Sequence, residues 1–488
     1  MSGLVRLFRG CPVCNGMKIL KFRNILLSAG IAAFAASADV ITDARALMDE
    51  GDFGAAAEIL RPDPALLKGA KMGEANLMLG ECEYELGNFT EARRYLDVAK
   101  TKGVAAASLY LARIDYLEYN FSGAAEAYSR YRTLMQKARK SFDEEALEEE
   151  EARVAQGENF LERVEKIAVI DSLQVPAEDF FKAYRLPASA GSLRTHDALP
   201  FDGRNAEGSV YVSEAADRMM WAEPDSTGKL HILESMLLTD GSWMTPAAVG
   251  ESLSDEGDAT FPFMMADGVT LYFASNGPES MGGYDIFRAN RDASTGEFMQ
   301  PQNMGMPYNS PYNDYLLAID ELNGVGWWAT DRNAPAGYVT IYVFVPNELR
   351  RNCDPATDDV VAFARLSDIS ATQEGKDFSE LRSIIAEIAP EPVELRQPDF
   401  HFTVSPGVEY THLEDFRDAD ARSAMTVYLR QADALATAEK SLADARRAYA
   451  SGSMTKERVA AMEQNVSKLR SQTEQARSAV YKALRRSR

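Results

Sequence analysis

Cysteine is scarce in this chain, with four residues in 488. Cys11 and Cys14 form a C-x-x-C near the start, but no second Cys/His pair completes a tetrahedral metal site. Histidine is as sparse: His196, His231, His401 and His412 are scattered, and none pairs at a metal-ligand spacing. There is no G-x-S-x-G elbow, no H-E-x-x-H helix and no phosphate-binding P-loop. The acidic piece SDEGD at 254–258 lacks the spacing of a calcium loop. Positive charge is in deficit, with 52 Lys and Arg against 74 Asp and Glu and a formal charge of −22, which argues against nucleic acid as a partner. The apolar run at Ile25 to Phe34 is about ten residues, too short to span a bilayer. These absences lead to the expectation of a non-catalytic protein without cofactor or metal.

What is present is a globular composition, 46% hydrophobic and 26% charged, with room for two to four domains. Lys18, Lys21 and Arg23 precede the apolar run, and Ala36-Ser37-Ala38 follows it, the three-part pattern of a secretory signal peptide. Residues 1–38 are therefore read as a leader, with Met17 as an alternative start and Asp39 as the first mature residue. Cleavage there removes five positive charges and no negative ones, taking −22 to −27. The C-x-x-C leaves with the leader. The expected location is outside the cytoplasm, periplasmic or at the outer membrane of a Gram-negative bacterium.

Residues 39–135 repeat a turn-plus-helix pattern. GDFGAAAEIL from Gly51, GNFTEARRYL from Gly87 and YNFSGAAEAY from Tyr119 place Phe53, Phe89 and Phe121 at spacings of 36 and 32, near the 34 of a tetratricopeptide hairpin. The middle copy resembles that repeat best, through Leu79, Gly80, Tyr84, Gly87, Phe89, Ala92, Leu96 and Ala99; it departs at Asn76 and lacks the closing proline. The expectation is an N-terminal α-solenoid, followed over 136–165 by an acidic capping helix or linker.

The middle, 166–350, repeats on a longer period. ADRMMWAE (216–223), ADGVTLYFAS (266–275) and LNGVGWWAT (322–330) align on Ala222, Ala274 and Ala329, at spacings of 52 and 55. Asp267-Gly268 is a hairpin turn signal, and Tyr272, Phe273 and Ser275 lie on the strand after it. Gly283 then lets the chain reverse into a strand opened by Asp285, and Trp328 marks the third copy. The glycines read as structural turns, since a phosphate cradle needs a helix to follow. A four-stranded unit repeated at this length predicts β-propeller blades.

The run D-G, then LYFASN, then GGYDIF resembles the TolB-like propeller repeat, also found in envelope proteins associated with type IX secretion. The order leader, tetratricopeptide repeats, propeller is similar to those proteins, as are residues 166–187. The chain departs from them in not continuing into a peptidoglycan-binding domain. The resemblance implies an exported scaffold or adaptor that binds other envelope proteins. A sugar- or peptide-binding module using the propeller face is the alternative, and a hydrolase with an unrecognised site a distant one.

Residues 351–420 are read as further strands and linker, with strands expected in DDVVAFARLSDI and DFHFTVSPGVEYTHL. Residues 421–488 carry two heptad stripes. One runs through Leu435, Ala438, Leu442, Ala445 and Tyr449, the other through Val459, Met462, Val466, Leu469, Thr473, Ala476 and Val480. They predict an αα-hairpin with a thin seam, docking on a partner's helices or on a second copy.

Overall fold

The computed structural model describes residues 40–486, apart from 62–70, 254–256, 336, 389–398, 406–407, 417 and 451–452. The leader and the C-x-x-C lie outside the described residues. The helices α1 (Val40–Asp49), α2 (Phe53–Leu60), α3 (Met72–Glu85), α4 (Phe89–Thr101), α5 (Ala105–Leu117), α6 (Phe121–Lys137) and α7 (Glu144–Leu161) come first. Next are β1 (Ala168–Pro176), β2 (Ser192–Arg194), β3 (Glu207–Val212), β4 (Arg218–Pro224), β5 (Leu230–Met236), β6 (Ala247–Ala248) and β7 (Ala259–Met264). They continue with β8 (Thr270–Ser275), β9 (Asp285–Asn290), β10 (Gln302–Asn303), β11 (Asp314–Asp320), β12 (Val325–Thr330) and β13 (Tyr338–Val345). Helices α8 (Val360–Arg365), α9 (Ile369–Thr372) and α10 (Ser379–Ile388), the hairpin β14 (Phe402–Ser405) and β15 (Val408–Tyr410), and helices α11 (Ala419–Ala450) and α12 (Lys456–Arg486) complete the chain. Two compact units result among the described residues, one within 111–388, the other within 40–110 and 399–486.

In the second unit, the recurring Gly-x-Phe positions are helix junctions. Gly51 and Gly87 end α1 and α3 at φ +79° and +74°, a left-handed conformation that glycine adopts without a Cβ penalty. Asp52 then caps α2, its carboxylate accepting from the Ala55 amide at 3.1 Å. Helices α3 and α4 approach closely because position 80 has no side chain: a Cβ there would come within 2.5 Å of Leu96. Ala44, Ala56, Leu60, Leu79 and Cys82 fill the space between hairpins. Burial pushes the Cys82 thiol up, as expected of an apolar filler.

The C-terminal hairpin belongs to this unit. Leu442, Ala445, Val459 and Val466 are buried along the seam of α11 and α12, whereas Tyr449 is 48% exposed and stands outside it. The Thr473 hydroxyl lies within hydrogen-bond reach of two carbonyls, Leu469 on its own helix and Gln431 on α11. The other end of α12 packs on the chain's own α2 and on β14–β15, which covers part of the hairpin from within the chain. Tyr481 fits against Gly54, where a Cβ would meet its ring at 2.7 Å, and donates to the Thr403 carbonyl at 2.7 Å.

The first unit holds three antiparallel sheets, in strand orders β2-β3-β4-β5-β6, β10-β9-β8-β7 and β1-β13-β12-β11. The sequence period is visible in them, since Ala222, Ala274 and Ala329 fall on the second-from-inside strands β4, β8 and β12. The innermost strands β3, β7 and β11 each carry an irregularity in register and a positive φ, at Gly208, Phe261 and Leu316. The propeller expectation fails here. The sheets are separate and open, and three are fewer than the four to eight blades of a ring around a channel. Where the inner strands meet, the rings of Phe180, Phe261 and Tyr315 pack at centroid distances of 5.3–5.8 Å. An aromatic core packs there, and the open sheets do not form the ring whose central face the sugar- or peptide-binding alternative invoked.

One further expectation changes. Residues 360–365 form α8, capped by Asp359, and not a strand. The acidic run lies in α7, where Arg113 binds Glu150 at 2.6 Å and Arg132 binds Glu151 at 2.7 Å, so part of its charge is paired within the unit.

The turn at Asp267-Gly268 separates backbone from packing effects. Gly268 has φ +66° with nothing within 4 Å of a Cβ, while Phe273 is 1% exposed and stacks on Phe287. Gly268→Val should cost roughly 1 kcal/mol through strain alone. Phe273→Ala should cost about 3 kcal/mol through the cavity left behind. Chemical denaturation of both variants checks the ratio.

Candidate functional site

The helical unit is organised around a buried carboxylate. Glu83, near the end of α3, has a side chain only 1% exposed. It is held by Arg61, which follows α2, and by Arg477 of α12, whose Nη2 donates at 2.9 Å; the Asn88 amide donates at 3.0 Å. Burial alone would raise the Glu83 pKa, but the Arg477 and Arg61 guanidiniums hold it below the usual carboxylate range. Arg94 of α4 adds a second tie to α12, meeting Glu474 at 3.0 Å. The outward positions of α1 and α3 are polar, as in the exposed Arg45–Glu74 pair at 2.7 Å.

The β-rich unit contains a second buried set. Arg332 is 1% exposed and donates to the Asp314 carboxylate at 2.7 Å, the Tyr308 carbonyl at 2.6 Å and the Ala364 carbonyl at 3.1 Å. Burial raises the Asp314 pKa and Arg332 opposes that shift. Asp285 is fully buried, accepting from the Met281 and Gly282 amides at 3.1 Å and from the Asn303 amide at 2.7 Å. Burial, with the Asp314 charge as a lesser cause, pushes the Asp285 carboxyl up to about 7. Each set is tied together by ion pairs and hydrogen bonds within the chain. They are structural knots in form.

The repeat-signature positions are distributed accordingly. Leu79 and Ala92 are fully buried in α3 and α4, Gly80 forms the close approach to Leu96, Gly87 is the left-handed junction and Phe89 opens α4. Asp267 accepts from the Val269 and Thr270 amides at 2.7 and 2.8 Å, which fixes the turn before Gly268. Tyr272, Phe273 and Ser275 are buried on β8, Gly283 is buried ahead of β9, and Trp328 is fully buried on β12 against Phe344 at 5.1 Å. The structure thus separates them into two units instead of gathering them at one site. Among the described residues, no group of three or more His, Cys, Asp or Glu could hold a metal ion.

Sequence reasoning missed Glu83, Arg477, Asp314 and Arg332. It also missed a clip repeated across the sheets. Asp258 and Asn276 bridge the ends of β7 and β8, and Asn313 and Asp331 bridge β11 and β12 with the two residue types exchanged. Both pairs are 18 residues apart, a signal readable within the period.

Residues 47–103 match the tetratricopeptide repeat family. The helices α2, α3 and α4 lie wholly within that match, and α1 ends in it. No curated protein and no solved structure matches the chain. The family match stops before the β-rich middle, whose sheets are open. The likeness to TolB-like propeller repeats and to type IX secretion-associated proteins therefore does not hold.

Asp285 allows a test by pH. Its folded pKa lies above the ordinary aspartate value, so the folded state binds the proton more tightly than the unfolded chain. Its contribution to stability is complete below the unfolded value near 4 and is lost as pH rises through about 7. Asp285→Asn should remove that component. The variant's melting temperature should fall less than the parent's between pH 5 and 8, as read by calorimetry.

Proposed function

We propose that this chain is a non-catalytic scaffold that binds other proteins through its N-terminal helical hairpins. The observation that carries the reading is the tetratricopeptide match over 47–103, realised as stacked helix pairs. Stacks of this kind bury a continuous core and leave an extended surface for a protein segment. We place it in the cell envelope of a Gram-negative bacterium, on the strength of the leader-like run from Lys18 to Ala38. Among the described residues no helix is long and apolar enough to cross a membrane. Self-association through the C-terminal hairpin fits the same reading, with Val427 and Tyr449 exposed on α11.

The test is photo-cross-linking in producing cells from unnatural residues placed at Arg45 and Glu74, with light scattering on the purified chain. Discrete protein adducts from these positions support the scaffold. Their absence from both positions, with the chain folded and exported, would contradict it.

A further inference from the structure

The first and second sheets of the β-rich unit are built on one plan, and their outer hairpins superpose in register. Leu237 bridges Trp243 as Arg291 bridges Phe298. The Met244 amide donates to Met236 as the Met299 amide donates to Asn290, and Val249 donates to Ile232 as Met304 donates to Ile286. The correspondence fixes what each sheet puts at its outer edge. The second sheet carries Asn290, Arg291, Asp292, Gln302 and Asn303; the first carries Met236, Leu237, Leu238, Ala247 and Ala248. Every one of these five positions is polar in one sheet and apolar in the other.

The polar edge is engaged by its own chain. Asn303 donates to Asp285, and the chain just beyond β10 receives Arg350 at the Met304 carbonyl (3.3 Å) and the Glu165 amide at the Met306 carbonyl (2.9 Å). The outer strand of the third sheet, β1, is likewise met by Thr372, Gln373 and Arg382 at the backbone of Val169 and Ile170. On the first sheet, Met236, Leu237 and Leu238 are 38–44% exposed, Met244 is 47% exposed, and Ala247 and Ala248 face solvent. Since Val249 bonds Ile232, alternation along an antiparallel pair turns the N–H and C=O of Ala248 away from β5. An exposed apolar edge with outward backbone groups is a template for another strand.

We propose that β6 takes an extended apolar segment of a partner protein, flanked by Lys or Arg, as an added antiparallel strand. The flanking charge follows from the rim, where the exposed charged residues Glu214, Asp217 and Asp240 are all acidic.

The test uses the full chain and two labelled peptides, Lys-Lys-Val-Thr-Val-Thr-Val-Lys-Lys and its counterpart with Glu at the four flanking positions. Fluorescence anisotropy should show saturable binding of the first and at least about tenfold weaker binding of the second. Ala248→Pro removes an outward donor that β5 does not use, so it should weaken the Lys peptide about tenfold without shifting the melting temperature. Asp240→Lys should reduce the preference for the Lys peptide. Equal binding of both peptides, undiminished binding by Ala248→Pro, or no binding by the folded chain would overturn the proposal. A concentration-dependent dimer abolished by Ala248→Pro would overturn it too, by making a second copy the occupant.

Discussion

Arg477→Ala should destabilise the helical unit by about 3 kcal/mol, because it leaves a buried carboxylate short of one of its two cations. Glu83 is 1% exposed and Arg477 11%, so solvent can do little to replace the lost partner. Arg61 remains in place, which keeps the loss at the lower end of the range for broken buried pairs. The sign of the pH dependence distinguishes this cause from lost packing. Glu83 has a lowered folded pKa, so its contribution is present above the unfolded value near 4.5 and is lost as pH falls through the lower folded value. The deficit of the variant should therefore shrink on acidification, whereas a packing loss would persist. Urea denaturation at neutral and acid pH reads both.

Arg332→Met should cost the β-rich unit about 3–5 kcal/mol, the larger of the two effects. The side chain lies within the fold, and its loss strands the Asp314 carboxylate and removes a donor from the carbonyls of Tyr308 and Ala364. Adding Asp314→Asn to the variant should restore part of the stability, since a neutral amide tolerates burial better than an unpaired charge. Denaturant midpoints for the two single variants and the double variant give the coupling directly.

The helical ends were legible in the sequence because their signals are local. A glycine at a junction, an Asp or Asn cap and small residues at helical spacing all act within one turn, as at Gly51, Asp52 and Ala56. The strand period of the middle was legible for the same reason, through Asp267-Gly268 and the aligned Ala222, Ala274 and Ala329. Ring closure was not. It depends on how many sheets assemble and on what fills the space between them, and the rings at Phe180, Phe261 and Tyr315 decide that from three distant segments. The buried pairs were hidden by distance too: Glu83 and Arg477 are 394 residues apart, and each looks like an ordinary helix-surface charge in its own segment. The hairpin's heptads showed a seam but not the surface beneath it, because Tyr481 and Arg477 lie among charged neighbours near the end of the stripe.

The two ends of the chain form one helical unit, closed by α12 over α2 and the end of α3. Native-state hydrogen exchange on the full chain tests this most directly. Amides of α3 around Leu79 and of α12 around Val480 should share one slow exchange rate, and Arg477→Ala should accelerate both together. Fast exchange along α12 while α3 stays protected, unchanged by Arg477→Ala, would show that the hairpin is an independent appendage and contradict the account.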